Sequence, residues 1–330
     1  MRYRTFGRTG LKVSELVFGG GWVGGVLIHQ DDDTKLKVLR YAIDSGINWI
    51  DTASKYGNGK SEEALGWLLQ ELSRRPYVST KVMLDTSNLD DVAGQVERST
   101  NESLSRMKLD SVDLLQLHNP LGVAAVDPNA GGSAITAEHV LAKNGVADSL
   151  DRMREQGLTR YIGFTALGDV ASCRRLIDSD RFDSVQVYYN MLNPSAARTM
   201  PGSWVGHDFG NLVAACKRQN MATMVIRVLA AGVLASDERH GREVVITRES
   251  GLDTESRRAA AVFAALGDEY GSRAQTALRF VLSNADVSCA VFGLAEFAHL
   301  REALAAADMG PLPQTAFDKL DQAYANNFNL

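Results

Sequence analysis

INWIDTASKYGNGKSEEALGWLLQEL, residues 47–72, reads as one strand-to-helix unit with a polar turn between its halves. The run INWID is short and nearly all apolar, as a strand covered on both faces should be, whereas Leu65, Leu68, Leu69 and Leu72 recur at helical spacing. The same alternation extends in both directions. Further strand candidates are ELVFGG from Glu15, YVSTK ending at Lys81, SVDLLQLH ending at His118, RYIGFT ending at Thr165, SVQVYYN from Ser184, TMVIRV from Thr223 and VSCAVFG from Val287. Helix-period segments separate them, such as Val146, Leu150 and Met153 ahead of a terminating Gly157. Strict alternation means βαβ units and a parallel sheet. An open doubly wound sheet has the same local pattern, but eight strand candidates favour a closed (β/α)8 barrel, the TIM-barrel class of α/β fold. A short β-hairpin is expected over residues 2–13, and with no linker dividing the chain, residues 1–330 read as one barrel domain. Three long irregular stretches, residues 119–136, 193–207 and 236–254, each follow a strand end and are expected to wall a pocket at the C-terminal face.

At 45% hydrophobic and 23% charged, the 330 residues have ample apolar material for a core. The 40 acids against 35 bases leave a net charge of -5 with no basic block, so nucleic acid and anionic membrane are not expected as partners. Cys173, Cys216 and Cys289 are too far apart for CxxC metal spacing and odd in number, which suits a reducing compartment. No apolar signal core follows the basic start and no run of 18 apolar residues occurs, so a cytoplasmic location is expected.

Two glycine motifs imitate phosphate loops. Gly19, Gly21 and Gly24 satisfy G-x-G-x-x-G, but VLIHQDDD intervenes before helical periodicity begins near Thr34, and a Rossmann loop would open its helix at once. A strand-to-helix turn is the preferred reading. GNGKS at residues 57–61 resembles the end of a P-loop, yet the first glycine of that motif would fall on Ser54. Ser61 reads as a helix cap, with Glu62 and Glu63 placed to meet the positive end of the helix dipole.

Chemistry concentrates elsewhere. Asp51, Lys81 and His118 end three successive strand candidates, and Tyr56 lies in the turn after the first; on a barrel these ends converge on one face. Reducing a carbonyl by hydride transfer creates an alkoxide, so a site must deliver a proton as charge develops. A tyrosine, with a free pKa of about 10, becomes competent when a lysine ammonium stabilises its phenolate, and a buried lysine needs a carboxylate to stay charged. Tyr56, Lys81 and Asp51 fit these roles, and His118 can orient the substrate oxygen. Lys81 by itself would also suit a Schiff-base site, but the six histidines show no HxH or HExxH spacing, so no metal is expected.

The run DTASKYGNGKSEEALG, with STK and LLQLHNP after it, resembles the signature segments of the aldo-keto reductases, and the resemblance extends from FGRTGLKVSELVFGG near the start to ALRFVLSNADVSCAVFGLAEFAHLREALAA near the end. It implies a (β/α)8 barrel, an NAD(P)(H) cofactor bound without a Rossmann domain, and a catalytic tetrad falling on Asp51, Tyr56, Lys81 and His118. It also implies cofactor contacts at Gly21, Trp22, Thr165, Gln186, Arg227, Leu229, Gly293, Leu294, Glu296, His299 and Glu302. The long loops make Trp22, Asn119, Trp204 and Arg227 candidate lining for a substrate pocket, with ordinary packing or a rim contact as the alternative for each.

Some positions depart from the family pattern. Ala166 replaces an asparagine beside the nicotinamide, the seventh strand ends in Ile226, Arg227, Val228 and Leu229 where an aromatic residue and S-P-L are usual, and Ala303 replaces another asparagine. Arg227 could reach the cofactor's phosphates, a substrate carboxylate or a plain ion pair at the rim. A carboxylate at Glu296 would repel a 2′-phosphate and accept from a ribose hydroxyl, which tilts the expectation toward NAD(H), although His299 and Arg301 offer cationic partners for a phosphate. The function implied is hydride transfer between nicotinamide and a small carbonyl, alcohol or sugar hemiacetal. A cofactor-binding sensor with negligible turnover is the alternative.

Overall fold

The computed structural model describes residues 1–123, 133–247 and 250–330. In chain order its strands are β1 (Tyr3–Thr5), β2 (Lys12–Ser14), β3 (Leu16–Gly19), β4 (Trp49–Asp51), β5 (Tyr77–Val82), β6 (Val112–Leu117), β7 (Leu121–Gly122), β8 (Ile135–Thr136), β9 (Thr159–Ala166), β10 (Ser184–Tyr188), β11 (Ala222–Ile226) and β12 (Cys289–Gly293). Strands β3, β4, β5, β6, β9, β10, β11 and β12 close into a parallel barrel in that order. All eight barrel strands fall on the runs expected to form them. Helices follow the strands around the outside, among them Asp32–Asp44, Lys60–Leu68, Val92–Met107, Val146–Glu155, Val170–Asp178, Leu212–Arg218, Arg273–Leu282 and Phe297–Met309.

Alternation along each strand divides the apolar residues into two cores. Leu16, Phe18, Ile50, Val78, Leu115, Leu117 and Phe164 face outward to the helices, while Val17, Trp49, Leu114, Met224 and Cys289 fill the barrel itself. The antiparallel β1–β2 hairpin belongs to the inner core: Phe6, in its turn, is fully buried and packs on Trp49 with ring centroids 4.8 Å apart. Arg4 fastens the hairpin by donating to the carbonyls of Asn284 and Val287 at 2.8 and 2.7 Å, and Glu15 accepts from Arg2 at 3.0 Å. The N-terminal mouth is thereby sealed by apolar packing.

Two details differ from the sequence expectation. A short helix, Val26–His29, forms inside VLIHQDDD, and β7 pairs in parallel with β8 inside the stretch read as irregular. Residues 124–132 of that stretch, and residues 248–249 of the stretch at 236–254, lie outside the described residues. All three cysteines are buried free thiols. No helix among the described residues is long and apolar enough to cross a membrane. Replacing Phe6 by Ala leaves a void against Trp49, and urea unfolding is expected to show a loss of about 3–5 kcal/mol.

Candidate active site

Register brings the polar strand ends to one level. Asp51 pairs with Ser79 across β4 and β5, and Lys81 pairs with Gln116 across β5 and β6. With a side-chain period of two, Ser79 and Lys81 share the inner face of β5, whereas Thr80 points outward and donates to Glu62 on the helix Lys60–Leu68. Lys81 Nζ donates to Asp51 Oδ2 at 2.6 Å, to the Thr52 carbonyl at 2.8 Å and to the Tyr56 hydroxyl at 3.2 Å. Tyr56 reaches that position because the chain turns sharply after β4: the Tyr56 amide donates to the Ala53 carbonyl, and Gly57, Asn58 and Gly59 follow with φ of 63°, 53° and 93°. Three successive left-handed residues explain why this turn is written Gly-Asn-Gly.

His118, just past β6, stands with its ring edge-on to Tyr56 at a centroid distance of 5.7 Å. Burial, reinforced by the ammoniums of Lys81 and Lys55, pushes its imidazole down to about 3, so the ring is neutral near pH 7. Burial also works against the Lys81 ammonium, but the Asp51 carboxylate and the Tyr56 phenol outweigh it, and the net displacement of Lys81 is upward. Asp51 is held from its other side. Its Oδ1 accepts from Ser79 Oγ at 2.7 Å, Gln186 Nε2 at 2.9 Å and Gln116 Nε2 at 3.3 Å.

Close packing accounts for Gly20 and Gly24, after β3, whereas Gly21 has room for a side chain. A Cβ on Gly24 would sit 2.4 Å from the Leu294 amide nitrogen, one on Gly20 would sit 2.6 Å from Ser61 Oγ, and one on Gly21 would touch the Tyr56 ring at 3.8 Å. Here the cap expected at Ser61 is corrected. Gly59 occupies the N-cap position without a side-chain bond, and the buried Ser61 hydroxyl instead donates to the Gly20 carbonyl at 3.0 Å and meets Thr52 Oγ1 at 2.8 Å, tying the ends of β3 and β4 together.

The other expected contacts are placed unevenly. Thr165 lies at the end of β9 in register with Gln186, and its buried Oγ1 has no partner; the same holds for Nδ1 of His118. Gln186 Nε2 is committed to Asp51. Arg227 has a left-handed φ of 61° and donates to the Val244 carbonyl at 2.5 Å, with the half-buried Leu229 two residues on. Gly293 and Leu294 lead toward the helix Phe297–Met309, whose N-cap Glu296 makes no side-chain cap bond and is exposed. His299 Nδ1 accepts from the Ala295 amide at 3.3 Å, and Glu302 accepts from Ser272.

Of the residues expected to line a pocket, Trp22 is 45% exposed and packs edge-on against His29. Asn119 is buried with both ends of its amide engaged, accepting from the Leu84 amide and donating to the carbonyls of Leu84 and Ser133, so it braces two loops. Trp204 is buried with an unpartnered indole nitrogen. Sequence reasoning missed Ser79 and Gln116. The signal was available, since each stands two residues before a site residue on the same strand face.

The Aldo/keto reductase family profile matches residues 15–325. L-galactose dehydrogenase of Arabidopsis thaliana is 35% identical over 167 residues, which is 50% of this chain and 48% of that protein. A probable voltage-gated potassium channel subunit beta of Arabidopsis thaliana is 28% identical over 98% of this chain and 96% of its own. D-threo-aldose 1-dehydrogenase of a Pseudomonas species is 28% identical over 71% of each chain. Among solved structures, an aldo-keto reductase of Bacillus halodurans in its holo form superposes with a TM-score of 0.72 at 17% identity over 98% of this chain and 96% of that one. Glycerol dehydrogenase of Gluconobacter oxydans gives 0.71 at 17% identity, over 98% and 95%. A match running from Glu15 at the edge of the first barrel strand to Ala325 in the last α-helix means that the chain belongs to the aldo/keto reductase family.

Proposed function

We propose that this chain is an NAD(P)(H)-dependent oxidoreductase that interconverts a small carbonyl compound, or the lactone of a sugar, with its alcohol or hemiacetal, using Tyr56 as general acid and base. The observation that carries this reading is the unbroken chain from Asp51 through Lys81 to the Tyr56 hydroxyl beside a neutral His118. The orphaned Thr165 Oγ1 fits an amide-bearing ring such as nicotinamide, and a bound nicotinamide supplies or accepts the hydride. Thr165, Gln186, Gly21 and Trp22 would hold that end; Arg227, Leu229, Gly293 and Leu294 the phosphates; and Glu296, His299 and Glu302 the adenosine.

In the reducing direction the Tyr56 hydroxyl delivers its proton to the substrate oxygen as negative charge gathers there. The Lys81 ammonium, 3.2 Å away, stabilises the phenolate left behind, and Asp51 balances the ammonium in a setting closed to water. His118, neutral, donates a hydrogen bond to the same oxygen and fixes its orientation. In the oxidising direction the phenolate takes the proton back. The sugar dehydrogenases among the relatives favour aldoses in the first screen. The free carboxylate of Glu296 favours NAD(H), and the three buried thiols suit a cytoplasmic setting. The full-length likeness to a potassium channel subunit supports a second reading, a cofactor-binding sensor with negligible turnover.

Screening wild type and Tyr56→Phe against aldehydes, ketones and aldoses with both cofactors decides between them. The variant is expected to lose about 10²–10⁴-fold in turnover while cofactor binding persists; undiminished activity removes Tyr56 from its role, and a wild type that binds cofactor without turnover supports the sensor. Steady-state kinetics is expected to give a higher kcat/KM with NADH than with NADPH, and the opposite order refutes the role of Glu296. A third test concerns pH. The folded His118 protonates only near 3 whereas the unfolded ring does so near 6.5, so the unfolded state binds the extra proton in between. Its contribution to stability is complete above 6.5 and is lost as the pH falls toward 3; urea melts should show this decline, and His118→Asn should flatten part of it.

A further inference from the structure

Below the tetrad the hydrogen-bonded chain continues into the barrel. Trp49 Nε1 donates to Ser79 Oγ at 2.9 Å, and Ser79 Oγ donates to Asp51 Oδ1 at 2.7 Å, the shortest of the three bonds to that oxygen. An indole nitrogen is a donor and never an acceptor. Ser79 Oγ therefore has to accept from Trp49, which directs its single proton to Asp51. Trp49 cannot yield, because it is fully buried between Phe6, at 4.8 Å, and Tyr77, at 5.4 Å. We propose that Ser79, locked by Trp49, is a positioning residue that draws part of the Asp51 charge onto Oδ1, away from Lys81, and so keeps the Lys81 charge available to the Tyr56 hydroxyl.

The physical reason is competition for the carboxylate's charge. A donor on Oδ1 draws negative charge away from Oδ2, the oxygen that faces Lys81 at 2.6 Å. Without that donor, Oδ2 holds the ammonium more tightly and less of its field reaches Tyr56. The charged and titratable groups facing this cluster are Lys81 on β5, His118 after β6, Arg227 after β11, Cys289 on β12 and Lys55 in the turn that carries Tyr56. None of them donates to Oδ1, where Gln116 and Gln186 are the remaining donors.

The inference deepens the function proposed above, and its test has one arm that does not need turnover. Ring-labelled tyrosine NMR on the full chain identifies the Tyr56 resonance by its loss in Tyr56→Phe. In Ser79→Ala that resonance is expected to titrate at a higher pH than in the wild type, and Ser79→Thr, which keeps the hydroxyl, is expected to restore it. With a substrate in hand, Ser79→Ala is also expected to lower kcat about tenfold, with cofactor Kd unchanged and the pH limb set by Tyr56 displaced upward, since a bond to a charged group is worth about that much. Coincident titration curves for wild type and Ser79→Ala, or an equal displacement in Ser79→Thr, overturn the proposal. A wild type lacking Tyr56-dependent turnover sinks the enzymatic reading and leaves the titration result to stand or fall separately.

Discussion

The ion pair between Lys81 and Asp51 is the constraint around which the barrel's interior is organised. Both side chains are almost wholly removed from water, and an isolated charge at either position would cost several kcal/mol. Their separation of 2.6 Å offsets that cost only because the remaining valences are also met, by Thr52 and Tyr56 on the ammonium and by Ser79, Gln116 and Gln186 on the carboxylate. A barrel can supply such a set, since donors from β5, β6 and β10 converge on an acceptor at the end of β4.

The two ends of the barrel perform different work. Toward the N-terminal mouth the interior is apolar, with Phe6, Val17, Trp49, Leu114 and Met224 packed together and the hairpin sealing the opening. Toward the C-terminal mouth it becomes polar, and unpartnered atoms appear at Thr165 and His118 where a bound molecule can satisfy them. Trp49 joins the halves. Its ring belongs to the apolar core and its indole nitrogen to the polar chain.

Around the mouth, close backbone contact replaces side-chain packing. Gly24 lies against Leu294, Val26 donates from its amide to the Leu294 carbonyl at 3.1 Å, and Gln30 donates to the Ala295 carbonyl at 2.9 Å. These contacts fasten the segment after β3 to the stretch that leads into the helix Phe297–Met309.

The sequence by itself determined the strand-and-helix rhythm, the eight barrel strands and the identity of Asp51, Tyr56, Lys81 and His118 as chemically unusual residues at strand ends, because periodicity and residue type are local properties of the chain. It did not reveal that Ser61 ties two strand ends instead of capping a helix, that Asn119 braces loops, or that Gln186 bonds Asp51. Each of these depends on a partner far away along the chain, and only closure of the barrel decides which distant side chain comes within hydrogen-bond reach. The same holds for the charge states: His118 is neutral because the fold buries it beside Lys81, a fact of three-dimensional neighbourhood that no spacing encodes.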